Sequence, residues 1–248
     1  MKDFTLETYR LLLQALKRHG RFTLRHDVDL HPLRSLHIAE IESSEGLQAT
    51  YYFRTVPESY DEGIIRRIAA LGHEAGYHYE CLTTCHGNME DAIADFQKNL
   101  ELLRTVVPIS KACAHGSPRS PHNSMDLWQH HDYHAFGIDH ESMLDTDFST
   151  TLYLTDTGRR WDGYRVSVRD KVPQYQEQWE RDGLAFHSTH DIIHAISNLQ
   201  HPIHTRSLLI NTHPQRWIPF GPAWMKEAVA QNAKNIVKQS LITLRNHK

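Results

Sequence analysis

FTLRHDV at 22–28, a helical stretch at 32–45 and ATYYFRT at 49–55 form the segment on which the fold turns. The two outer runs are short and rich in β-branched and aromatic residues, so each reads as a strand. Between them Leu33, Leu36 and Ile41 suit a helix, and Gly46 follows as a stop. Outward from this unit the alternation continues. Residues 5–18 carry Leu6, Leu12, Leu13 and Leu16 at helical spacing ahead of Gly20. Residues 60–71 read as a helix ending at Gly72, and 73–78 as a weak strand. Asn88 can cap a helix over 89–106, where Ile93, Phe96, Leu100 and Leu103 share a face, and 109–115 reads as the next strand. Further on, 151–155, 184–188 and 207–213 read as strands, and 122–131, 190–199 and 222–245 as helices.

The expectation is one α/β domain over 1–248, a mostly parallel sheet with helices outside. Periodicity does not choose between an open sheet and a barrel. In either, ligands gather at the carboxyl ends of the strands, so the residues closing each strand are the informative ones.

The composition narrows the function classes. A net charge of −3 argues against a dedicated nucleic-acid binder. No apolar run approaches the roughly 18 residues of a membrane span. The opening MKDFTLETYR shows no apolar leader, which makes the cytoplasm the expected location. Cys81, Cys85 and Cys113 are too few for a disulfide framework in 248 residues. Twenty histidines, by contrast, offer a large pool of metal ligands and acid–base groups.

Four strands end in that chemistry. The first closes on Arg25-His26-Asp27-Val28-Asp29, where Asp27 and Asp29 share a face through the two-residue period if the strand continues that far. Two adjacent carboxylates ionise together most readily beside a cation. The third strand ends with His78 and Glu80 two apart and His73 earlier, residue types that ligate catalytic zinc. The fourth delivers His115-Gly116-Ser117-Pro118, a sharp exit that can expose a side chain and backbone N–H groups. A late apolar strand delivers His213. Each alone reads equally as a solvated turn or a packed histidine; their convergence is what points to a site. His190 and His194 lack the glutamate of a zinc-protease helix, and His190 reads as a helix start.

Taken together, RHDVD (25–29), TYYFR (50–54), LGHEAGYHYE (71–80), HGSP (115–118), YLTDTGRRWDG (153–163), SVRDKV (167–172) and NTHPQRW (211–217) resemble the polysaccharide deacetylase superfamily, carbohydrate esterase family 4. The likeness is to a branch tied to surface-polysaccharide gene clusters, and lipopolysaccharide biosynthesis is the kind of setting it suggests. The resemblance implies a distorted, incomplete (β/α) barrel. It also implies hydrolysis of N- or O-acyl groups on sugars with a divalent metal, most often Zn2+.

By position, Asp27 resembles the catalytic base, Asp29 the metal-binding aspartate, His78 the first metal histidine and His213 the general acid. The family's second metal histidine, four residues after the first, is here Leu82, which cannot ligate. His115 is the favoured third ligand and would keep a two-histidine, one-carboxylate set. Glu80 is the alternative, or a partner orienting a ligand, and His86 is a weaker candidate. Backbone N–H groups around His115–Ser117 are expected to hold an oxyanion. Arg25, Ser117, Asp156, Arg160 and Trp161 are expected around the substrate, with Arg25 also able to pair with Asp27 and Asp156 with His213. Arg159 belongs to the same loop. The expected substrate is an amino-sugar or nucleotide-sugar bearing an acetyl or formyl group. The alternatives are hydrolysis of a small non-sugar amide, or a degenerate relative that binds carbohydrate without turnover.

Overall fold

The computed structural model describes residues 2–117, 120–167 and 169–246, with side chains as far as Ile236. Pro118 of HGSP and Val168 of SVRDKV lie outside the described residues. In chain order the elements are α1 (Leu6–His19), β1 (Phe22–Val28), α2 (Pro32–Ser44), β2 (Thr50–Phe53), α3 (Glu62–Ala70) and β3 (Glu74–Tyr79). Then come α4 (Cys81–Thr84), α5 (Met89–Arg104), β4 (Lys111–Ala114), β5 (His140–Glu141), β6 (Thr151–Thr155), α6 (Pro173–Arg181), α7 (Thr189–Ser197), β7 (Ser207–Thr212) and α8 (Pro222–Asn246). All the strand pairings described are parallel, and the class is α/β, as expected.

The chain divides into two compact units, Arg25–Thr146 and Met1–Leu24 with Asp147–Lys248. In the first, β1, β2, β3, β4 and β5 pair in sequence order, each joined to the next by a crossover. The two-residue period sorts its side chains onto two faces. On one lie His26, Val28, Tyr51, Phe53, Tyr77 and Tyr79, all buried; the ring of Phe96, from α5, lies 5.1 Å from Tyr77 and 5.4 Å from Tyr79. Burying each large side chain of this face contributes at most about 1.5–3 kcal/mol. On the other lie Arg25, Asp27, Tyr52, His78 and Cys113. Gly76 sits on this second face because Tyr52 crosses it: a Cβ there would lie 2.5 Å from the Tyr52 ring.

In the other unit β6 pairs with β7, and α1 packs on α7. Helix α1 is capped by Thr5, whose hydroxyl accepts from the Thr8 N–H, and ends at Gly20 in the left-handed region. Phe4, Tyr9, Trp161 and Trp217 form an aromatic cluster with ring centroids 5.0–6.4 Å apart.

Two readings change. LAFHS (184–188) is not a strand. Gly183, left-handed, closes α6, and Ser188 with Asp191 forms a capping box that starts α7, leaving too little chain for a ladder. The helix expected at 122–131 is a 3-10 turn over Ser124–Gln129. Short elements that periodicity cannot see, α4 and β5, were not expected, and neither was α6.

Candidate metal centre

The second face of the Arg25–Thr146 unit ends in a cluster of ligands. His78 Nε2 lies 3.7 Å from Asp29 Oδ1, and His115 Nε2 lies 3.6 Å from the same oxygen. The three ligand atoms lie within 4.8 Å of one another. Each imidazole is oriented through its other nitrogen. His78 Nδ1–H donates to the Cys113 carbonyl at 3.0 Å, and His115 Nδ1–H donates to Glu80 Oε2 at 2.9 Å. Burial pushes the His78 imidazole down to about 4, against the pull of Asp27, so it is neutral near pH 7. One carboxylate and two imidazoles, with both Nδ1 atoms engaged elsewhere, suit a zinc-type cation. That donor set is the fit between these residues and the metal the resemblance implies.

A second trio, Asp27, His78 and Cys113, also brings its ligand atoms within 4.8 Å. It is the poorer centre. Both Asp27 oxygens accept from Arg25 Nη2 at 3.0 Å, so a cation there would sit against a buried guanidinium. Arg25 is 3% exposed and also donates to Ser142 Oγ at 2.8 Å. It is therefore directed at Asp27 and Ser142.

Leu82 is buried on α4, which packs on α5; the position that carries a histidine in the resemblance belongs here to the core. His86 is exposed in the turn after α4 and joins no ligand group among the described residues. The His115 N–H donates to the Tyr79 carbonyl at 2.7 Å, so the sheet has used that oxyanion donor. Ser117 lies half-buried after β4.

His73 is no ligand. Its Nδ1 accepts from the Ala49 N–H at 3.2 Å and its Nε2 donates to the Ala39 carbonyl at 3.0 Å, an arrangement open only to the neutral ring. Burial lowers its pKa although Glu42 lies 3.8 Å away, where that carboxylate also accepts from His26 and Tyr51. The unfolded chain therefore takes up a proton that the fold refuses. This group's contribution is fully present above about pH 6.5 and is lost as pH falls toward its lower folded value. Urea titrations between pH 7.5 and 5 are expected to show that decline, and His73→Gln is expected to make it shallower, since His78 contributes a decline of the same sign.

In the other unit Asp156 follows β6 and His213 follows β7. The buried Asp156 carboxylate accepts from His213 Nδ1–H at 2.6 Å, Arg216 Nη1 at 2.6 Å, Trp217 Nε1 at 2.7 Å and the His213 N–H at 3.0 Å. Burial alone would raise its pKa, but Arg216 and His213 outweigh it and the net direction is down. Asp156 thus orients His213.

The loop that follows is also turned inward. Arg160 grips Asp162 through two bonds of 2.6 and 2.7 Å. Trp161 is 4% exposed, with Nε1 on Thr189 Oγ1, because it belongs to the aromatic cluster. Arg159 lies over the rings of Phe4 and Trp224. Sequence reasoning expected Arg160 and Trp161 at a substrate and missed Arg54, Ser142, Arg216 and Trp217. Arg54 and Arg216 stand just past strand ends inside quoted segments, a signal that was present. Ser142 gave none.

No family model matches the chain, and no curated protein matches it. Among solved structures it is similar to a Streptococcus mutans CE4 esterase, with a TM-score of 0.47 and 14% identity, covering 96% of this chain and 89% of that one.

Proposed function

We propose that the protein is a divalent-metal-dependent hydrolase that removes an acetyl or formyl group from the nitrogen of an amino-sugar, with zinc as the cation. The observation that carries the reading is the convergence of Asp29, His78 and His115, with Asp27 held beside them by Arg25. Asp29, His78 and His115 would hold the ion. When bound, a divalent cation polarises an acyl carbonyl and makes a water easier to deprotonate.

Asp27 is the base. The Arg25 guanidinium favours its ionised form, which can take a proton from the attacking water. His213 is the acid that the resemblance suggests. Asp156 accepts its Nδ1–H and stabilises the protonated ring, as a proton donor to a leaving amine requires. The sugar class rests on the sequence resemblance. Among the described residues no helix is long and apolar enough to cross a membrane.

The test combines metal analysis with product release. Zinc-loaded protein is expected to hold one ion per chain and to release acetate or formate from N-acylated amino-sugars or nucleotide-sugars. Turnover of small non-sugar amides alone would transfer the reading to an amidohydrolase. Absence of stoichiometric metal after loading with zinc, cobalt or nickel would leave a carbohydrate-binding protein without turnover.

A further inference from the structure

The two histidines of the centre are held by unlike devices. His78 lies within β3, and its Nδ1–H is fixed by a main-chain carbonyl of the neighbouring strand. His115 lies just past β4, at the start of a loop, and its Nδ1–H is fixed by a side chain, Glu80. Glu80 is itself held. Arg54, just past β2, donates to Glu80 Oε1 from Nε at 3.0 Å and from Nη2 at 2.6 Å. The oxygens of Glu80 are thus divided, one for Arg54 and one for His115. The Arg54 N–H in turn donates to Ser59 Oγ at 3.0 Å. A chain of charge-assisted bonds therefore crosses three adjacent strand ends inside one unit and stops at the ring whose Nε2 lies near Asp29.

We propose that Arg54 and Glu80 are positioning residues that set the affinity of the centre by holding His115 in its ligating orientation. The proposal rests on the metal-centre reading above. Its physical basis is torsional. An imidazole at a strand exit, half-buried, has room to turn about χ1 and χ2, and a ring turned away offers no lone pair to a cation. A carboxylate on Nδ1–H removes that freedom and makes Nε2 the better donor. Arg54 restrains Glu80 in turn and balances its charge, as Arg25 does for Asp27. The carboxylates flanking the trio therefore add little net charge. Arg54 acts only through Glu80, so its contribution should vanish when Glu80 cannot respond.

The experiment measures Zn2+ affinity by competition with a chromophoric chelator and ring geometry from the visible d–d bands of Co2+-loaded protein. The full chain is used throughout, and thermal melting confirms that each variant is folded. Glu80→Gln, which is nearly isosteric but uncharged, is expected to weaken Zn2+ binding by about 10–100-fold and to shift the Co2+ bands. Arg54→Gln is expected to weaken binding by a smaller factor, and Arg54→Lys by less again. The double variant is expected to match Glu80→Gln alone rather than the product of the two losses. If the wild-type chain binds metal while Glu80→Gln keeps its affinity and its spectrum, the clamp is wrong and the centre stands. Multiplying losses in the double variant would also overturn it. A wild-type chain that binds neither ion overturns the functional reading and the clamp together.

Discussion

Asp27→Asn is expected to lower kcat/KM by about 10²–10⁴-fold, the usual share of a positioned general base. Metal content should stay at the wild-type level, because the proposed ligand set of Asp29, His78 and His115 leaves Asp27 out. Asparagine keeps the shape of the side chain and one acceptor for Arg25, but it cannot take a proton. The buried Arg25 guanidinium then loses its counter-charge, so the melting temperature should also fall. The Arg25→Met/Asp27→Asn double variant separates the two effects. It should recover part of the lost stability and none of the lost rate. Kinetics on the metal-loaded proteins, with metal content measured in parallel, check both. Asp27→Asn at full activity would remove the base from the mechanism.

Asp156→Ala is expected to cost about 3–5 kcal/mol of stability, as removal of one partner from a buried ion pair does. The carboxylate is fully buried and serves donors on three residues of the chain just past β7. Without it Arg216, 9% exposed, is left as a buried cation, and Trp217 Nε1 loses its acceptor. Against a usual total of about 5–15 kcal/mol, that loss is large. The pH dependence has a definite sign. The folded Asp156 pKa is depressed, so its stabilisation is complete above about 3.9, the unfolded value. It is lost as pH falls through the lower folded value. Denaturant titrations at pH 7 give the cost. Asp156→Asn, followed from pH 6 to 2, should show a shallower acid decline than the wild type, lacking the share that Asp156 contributes. A loss under about 1 kcal/mol would show that the donors find other acceptors.

The strand ends were legible in the sequence because a β-strand has a rigid period. The period fixes the faces of Asp27 and His78; β1 ends at Val28 and β3 at Tyr79, so Asp29 and Glu80 stand just past the strands and are placed by the turns there. The caps were legible for a similar reason: Asn88 and Gly20 act on backbone atoms within three or four residues of themselves. The direction of the loop at 159–163 was not legible because its residue types carry none. An arginine and a tryptophan beside a glycine suit a sugar site and a packed loop equally well. Asp162 captured Arg160, and the Phe4–Trp217 cluster captured Trp161, both through contacts that residue types alone do not disclose.

The division follows the range of the forces involved. Parallel alternation, the helix stops and which side chains share a strand face depend on neighbours a few residues away, and the sequence by itself determined them. Tertiary structure alone decided that Glu80 meets His115 across 35 positions, that Arg25 meets Ser142 across 117, and that Leu82 is core. Those meetings depend on which strands lie side by side and how far each runs before it ends. That is set by the packing of the whole sheet and its helices, a sum of many weak contacts that no short stretch of residues contains.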